Sequence, residues 1–460
     1  MLPLTSIQSS LMKLGHPDDK LIPGRATGIR PGARRRRAAA QAAFTDRMVR
    51  TAPSRRLHLV PRRPPLSALY FDTLNAHTWD EHMTANRQAF TTEEFKTRVA
   101  RVQSEMSVRG IDILLLHAPE NIYYLTGHQT SGYFAYQTVV LAQAGDPQLL
   151  LRFLEKGNVD EYSWLPDAST WKEGDDVVEK TLALVRGFGA AGKRIGLEKR
   201  SWFLTSAIAD ALTNGLSDAT IVDASLLVDR VRVIKSPAEV GYIRRAAQIA
   251  EIEQQVAFAT ICDGATEAQV AAAVFAAGVN AGCEYTGLPH HIMSGYRYNV
   301  CHANWSPKII RRGELVLFEF YGCLERYHAT QMRTVAIGHA SDEVTRAADI
   351  VVAAQDAGIA AMKPGASARE VDALVRQPIR KIRPEYYNRT GYSTGIGFPP
   401  KTAEWEALDF NEQEDWELKE GMAFHMLALA CGFGISETVV VTSNGVERLT
   451  GSNGRALLIK

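Results

Sequence analysis

A carboxylate stands inside an apolar run of this chain, Leu315-Val316-Leu317-Phe318-Glu319-Phe320-Tyr321. Burying an unpaired carboxylate is costly. The run can therefore fold into a core only if Glu319 is ion-paired, bound to a metal or used chemically. Arg333, a short distance along the chain, is the partner that a purely structural reading would choose. The run and the stretch that follows read as a hairpin, with strands over Leu315–Tyr321 and Arg326–Ile337.

The elements around this hairpin fall into two groups. Helical spacing over Glu93–Arg109 precedes strands at Ile111–Leu116, Tyr136–Ala142 and Gln148–Phe153. A helix over Val177–Gly187, a strand at Arg194–Glu198, a helix over Ser206–Asn214 and a strand at Thr220–Asp223 follow. This alternation predicts an α/β domain over 86–228. The tetrad Ser236-Pro237-Ala238-Glu239 is a capping box with proline at the first helical position, so a long helix starts there and runs to about Ile261. A helix over Glu267–Ala281, the hairpin, helices over Asp342–Met362 and Ala368–Ile382, and strands at Ala423–Leu429 and Thr438–Thr442 predict an α+β domain over 229–460.

Charge is distributed unevenly. The 460 residues carry a net charge of +1, but residues 1–66 hold 14 Lys and Arg against 3 Asp and Glu. A basic tail thus precedes an acidic body, which argues against a nucleic-acid footprint outside that tail. Residues 1–85, with the run Arg34–Arg37 and the Pro61–Pro65 stretch, read as an extension that is disordered or lies upstream of a start at Met83. A targeting peptide and a patch for anionic surfaces are the alternatives. No apolar run reaches the ~18–20 residues of a membrane helix. The five cysteines are widely spaced with no C-x-x-C, which suits free thiols in a reducing, cytoplasmic setting.

The hairpin, with motifs on either side of it, resembles the pita-bread superfamily of creatinase- and aminopeptidase P-like enzymes. Asn121-Ile122-Tyr123-Tyr124-Leu125-Thr126-Gly127 is similar to the N-x-x-Y-L-T-G of a creatinase-type N-terminal domain. Arg232-Val233-Ile234-Lys235-Ser236-Pro237-Ala238-Glu239 is similar to its linker, R-x-x-K-S-x-x-E. Arg333-Thr334, Gly395-Ile396-Gly397 and Gly421-Met422 follow in the family's order. The resemblance implies a creatinase-type α/β N-terminal domain, a pita-bread α+β C-terminal domain and a homodimer. Its metallopeptidases use five ligands, Asp, Asp, His, Glu and Glu, and here those positions read Glu319, Thr330, Thr394, Leu427 and Glu437. Leucine cannot bind a metal and a threonine hydroxyl is a poor ligand. The expectation is therefore an enzyme with neither metal nor cofactor.

The texture also resembles the ectoine hydrolase branch, in Phe318–His328, in Arg389-Thr390-Gly391-Tyr392 and in Gly421–His425. That resemblance implies hydrolysis of a C–N bond in a small zwitterionic cyclic amidine, with Glu319, His302 and Glu437 as catalytic groups. His328 and His425 each stand two residues from a lost ligand position and share its strand face. They join Tyr327, Arg333, Tyr392 and Thr394 as candidates for substrate binding, and Arg152, on the N-terminal domain that in creatinase-like dimers covers the partner's site, is the candidate clamp for a substrate carboxylate. Two other classes stay open. One is a metal-dependent peptidase or lyase using His302, His328, His425, Glu319 and Glu437. The other is a non-catalytic binding module.

Overall fold

The computed structural model describes residues 87–460; the expectations for the basic extension fall outside the described residues. The first element, α1 (Thr92–Val108), is followed by β1 (Ile113–Leu116), α2 (Pro119–Thr126), β2 (Thr138–Ala142) and β3 (Gln148–Arg152). Then come α3 (Lys156–Tyr162), β4 (Ser169–Trp171), α4 (Val177–Gly187), β5 (Arg194–Leu197), α5 (Ser206–Gly215), β6 (Thr220–Asp223) and α6 (Leu227–Arg232). The strands form one six-stranded sheet in the order β4-β3-β2-β1-β5-β6. β1 is antiparallel to β2 and parallel to β5. Its four residues, Ile113–Leu116, are all buried, as a strand covered on both faces requires.

The second domain opens with α7 (Pro237–Thr260) and α8 (Glu267–Asn280), then β7 (His291–Ser294), β8 (Leu315–Leu324) and β9 (Tyr327–Ala336). After α9 (Asp342–Ala360) and α10 (Ala368–Arg380) come β10 (Gly391–Ser393), β11 (Asp409–Phe410), β12 (Ala423–Ala430), β13 (Phe433–Thr442), β14 (Gly445–Arg448) and β15 (Leu458–Ile459). Seven of these strands run in the order β11-β10-β12-β13-β9-β8-β7, with β14 on β13 and β15 on β9. One face of this sheet is covered by helices. Phe318 and Phe320 pack on Ala257, Val270 and Val274, and Ile435 packs on Val351 and Val375. The hairpin approaches α7 so closely that a Cβ on Gly322 would lie 1.9 Å from the Ala246 carbonyl oxygen. The opposite face is open, and Leu317, Glu319, Leu427 and Leu429 are only half-buried there.

The linker motif is a structural lock. Ser236 and Glu239 form both hydrogen bonds of the capping box, and the second Glu239 oxygen accepts a 2.7 Å bond from the Tyr327 hydroxyl. Asn121 donates to Glu198 and Asp229 and accepts from Arg232. Arg232 reaches across to Glu404 at 2.6 Å, and Glu404 also pairs with Lys235; all three are buried. Gly395 is required beside this knot, because a Cβ there would lie 2.3 Å from Glu404 Oε1. No described helix is long and apolar enough to cross a membrane.

Removing one partner from a buried ion cluster leaves its cations uncompensated. Glu404→Gln is therefore expected to cost about 3–5 kcal/mol, read as a drop in the urea midpoint with the slope unchanged.

Candidate active site

The ladder registers decide which side chains meet. His291 lies opposite Glu319, Glu319 opposite Met332, Met332 opposite Ser436, and Ser436 opposite Leu427. Directly opposed residues share a sheet face, so these five form one row across five strands. A second row on the same face runs Tyr321, Thr330, Thr438, His425, Tyr392. Tyr321 opposes Thr330, the Thr438 hydroxyl accepts from the Thr330 amide at 2.9 Å, and His425 opposes both Thr438 and Tyr392.

Glu319 and His425 stand on strands three apart. A flat sheet would separate them by roughly 14 Å at ~4.8 Å per strand. Yet His425 Nε2 lies 3.8 Å from Glu319 Oε1. The sheet curves, and the two side chains meet above the small residues Thr330, Ser436 and Thr438. Glu319 Oε2 accepts a 2.9 Å hydrogen bond from the Tyr321 hydroxyl. The Glu319 side chain is 16 % exposed, and burial pushes its pKa up to about 7. His425 is buried, with no hydrogen bond at either ring nitrogen, and burial lowers its pKa to about 3. It is therefore neutral at pH 7. Tyr392 meets it edge-on, with ring centroids 4.9 Å apart.

His302 sits on the exposed loop after β7 with a φ of +57°, its ring 5.5 Å from His291. No described contact links it directly to Glu319. The neighbouring Cys301 thiol is raised by burial and by the Glu319 charge, so the loop lies near the carboxylate. Sequence reasoning missed His291. It is buried, and burial together with the charge of His302 lowers its pKa to about 4. Only the β7–β8 register reveals it. Tyr321, by contrast, stands two residues from Glu319, and strand alternation could have singled it out.

Several expected site residues lie elsewhere. Glu437 is one residue out of step: Ser436 takes the open face, and Glu437 points beneath the sheet. There it accepts from Arg333 Nη2 at 2.7 Å and Arg455 Nε at 3.1 Å. Arg333 thus pairs with Glu437, not with Glu319. Tyr327 also points beneath the sheet, to Glu239. His328 is consumed by local structure: its Nε2 accepts from the Gly287 amide at 3.0 Å and its Nδ1 lies 3.0 Å from the Arg326 carbonyl. Thr394 donates to the His328 carbonyl at 3.2 Å. Arg152 pairs with Glu173 in the N-terminal domain. The structure brings together Glu319, His425 and Tyr392 of the expected set, and adds Tyr321 and His291.

Comparison with known proteins places this geometry in a family. Residues 98–234 match the creatinase/prolidase N-terminal domain and residues 241–443 match metallopeptidase family M24. An uncharacterized hydrolase/peptidase of Sinorhizobium fredii is 32% identical over 387 residues, covering 79% of this chain and 96% of its own. The chain belongs to the M24 family. An ectoine hydrolase of Halomonas elongata is 26% identical over 385 residues, 78% of this chain and 96% of the relative. An Xaa-Pro dipeptidase from Bacillus anthracis shares the fold, with a TM-score of 0.69 and 24% identity over 80% of this chain and all of its own. An M24 metallopeptidase implies metal, and the residues here do not fit one. The five positions read Glu319, Thr330, Thr394, Leu427 and Glu437, and with Glu437 turned beneath the sheet to Arg333 and Arg455 a single carboxylate is left on the open face. The alternative cluster of His302, His328, His425, Glu319 and Glu437 is not assembled, because His328 and Glu437 are held elsewhere. Among the described residues no group of three or more His, Cys, Asp or Glu is arranged to hold a metal ion.

The raised pKa of Glu319 has a thermodynamic consequence. An unfolded glutamate titrates near ~4.3, so the folded state favours the protonated form. The stability this confers is complete below about pH 4 and is lost as the pH rises through about 7. Glu319→Gln cannot ionise. Its stability relative to the wild type is expected to increase between pH 5 and pH 8, by up to about 3 kcal/mol. Thermal denaturation of both proteins across that range measures it.

Proposed function

We propose that the protein is a metal-independent hydrolase that opens a C–N bond in a small zwitterionic amidine, in the manner of an ectoine hydrolase. The observation that carries this reading is the donor set on the open face: one carboxylate, Glu319, between a neutral imidazole and a phenol, with Thr330 and Leu427 at two of the family's ligand positions and Glu437 turned away beneath the sheet. A buried carboxylate with no cation beside it is the natural complement of an amidinium, whose charge would restore its ionised form.

The chemistry needs a base for water and an acid for the leaving nitrogen. A carboxylate titrating near neutrality serves both ends. Water adds to the amidine carbon as Glu319 takes its proton, and the C–N bond breaks as Glu319 returns that proton to the departing nitrogen. The products are an amide and an amine. Tyr321 holds the carboxylate through its 2.9 Å hydrogen bond. His425, neutral and with free ring nitrogens, accepts an N–H of the substrate and orients the amidine plane.

The test is turnover of ectoine and of Xaa-Pro dipeptides by purified protein, with and without a strong chelator. The expected result is ectoine opening that resists the chelator and falls by about 10²–10⁴-fold in kcat in Glu319→Gln. Chelator-sensitive dipeptide cleavage with stoichiometric bound metal would overturn this reading.

A further inference from the structure

A zwitterion has a second charge, and the open face must answer it. Most basic groups of the C-terminal domain near the site are committed elsewhere. Arg326 donates to the Gly397 and Tyr285 carbonyls. Arg297 and Lys308 pair with Glu267 and Glu314. Arg333 and Arg455 hold Glu437 beneath the sheet. Arg389 is placed differently. It leads into β10, and its guanidinium lies 5.7 Å from the Tyr392 ring and 5.5 Å from the Trp405 ring. Its ionic contact is to Asp409 Oδ2 at 3.3 Å, and 37% of its side chain is exposed. Asp409 opposes Tyr392 in the β10–β11 ladder, so the pair shares Tyr392's face and the guanidinium is drawn to the open side of the sheet.

A continuous line of contacts results. Arg389 lies against Tyr392, Tyr392 stands edge-on to His425, and His425 is 3.8 Å from Glu319. The Tyr392 phenol senses both ends, raised by Glu319 and lowered by Arg389 after the larger effect of burial. The site therefore carries a carboxyl group at one end and a guanidinium at the other, separated by two rings. A guanidinium held by one oxygen at 3.3 Å keeps most of its planar fork free for a bidentate carboxylate.

We propose that Arg389 is the specificity residue that binds the carboxylate of the zwitterionic substrate while Glu319 takes its cationic end. The proposal rests on the amidine-hydrolase reading above. It places the clamp on the same domain as Glu319, whereas Arg152, the expected clamp, lies on the N-terminal domain and pairs there with Glu173.

The experiment is titration calorimetry of the wild type, Arg389→Gln and Asp409→Asn with ectoine and with its carboxamide, in which the carboxylate is neutralised. Arg389→Gln is expected to weaken ectoine binding roughly 10- to 100-fold and to leave the carboxamide at its wild-type affinity. Asp409→Asn removes a competing anion and should leave ectoine binding unchanged or tighter. Equal losses for both ligands in Arg389→Gln would overturn the proposal. So would an Asp409→Asn variant that behaves like Arg389→Gln, since that outcome marks a merely structural pair. A wild type that binds neither ligand would sink the amidine reading and this assignment together. A wild type and an Arg389→Gln variant that bind ectoine equally well would remove the assignment alone.

Discussion

The site depends on the ladder register of β7, β8, β9, β13 and β12 in a sheet that curves. Side chains alternate with period two, so a slip of one residue moves a side chain to the other face. Ser436 and Glu437 show the consequence. One is buried on the open face opposite Met332 and Leu427, and the other is clamped by two arginines below the sheet. Glu437 therefore adds no second carboxylate to the face that carries Glu319. Curvature does the rest. It brings His425 to Glu319 across the two intervening strands, β9 and β13.

The electrostatics follow from the same arrangement. Where the family's metal would neutralise several acids, this chain keeps one acid and no counter-cation beside it. Burial then raises the carboxylate to about 7 and lowers His425 to about 3. A neutral free site of this kind favours a ligand that brings its own positive charge. Arg333 and Arg455 are paired with Glu437 beneath the sheet, and Arg389 is paired with Asp409 beside Tyr392.

The motifs that bear the family likeness most clearly do structural work. Asn121 binds Glu198 and Arg232, Arg232 and Lys235 bind Glu404, and Glu239 binds Tyr327, across the junction of the two domains. They hold the N-terminal domain to the loop that carries Gly395 and Thr394.

Much of the fold was legible in the sequence. The capping box at Ser236, the helical spacing that became α1, α9 and α10, and the apolar runs of β1, β8 and β12 are local signals, and the elements they mark lie where propensity and period put them. Glu319 was legible too, because a carboxylate among Leu317, Phe318 and Phe320 contradicts its surroundings. What the sequence could not determine was partnership. His328 and Tyr327 have the residue types of a binding site, but backbone groups of a neighbouring loop and the capping-box carboxylate claim them. His291 was not legible beside Glu319, since an antiparallel register places it there, and Arg389 was legible only as part of a motif, since its pairing with Asp409 is a tertiary contact. The sequence by itself determined the elements and the one anomalous acid, because those depend on neighbours in the chain. Only the tertiary structure decided which groups face that acid, because strand register and sheet curvature are set by contacts between residues far apart in sequence.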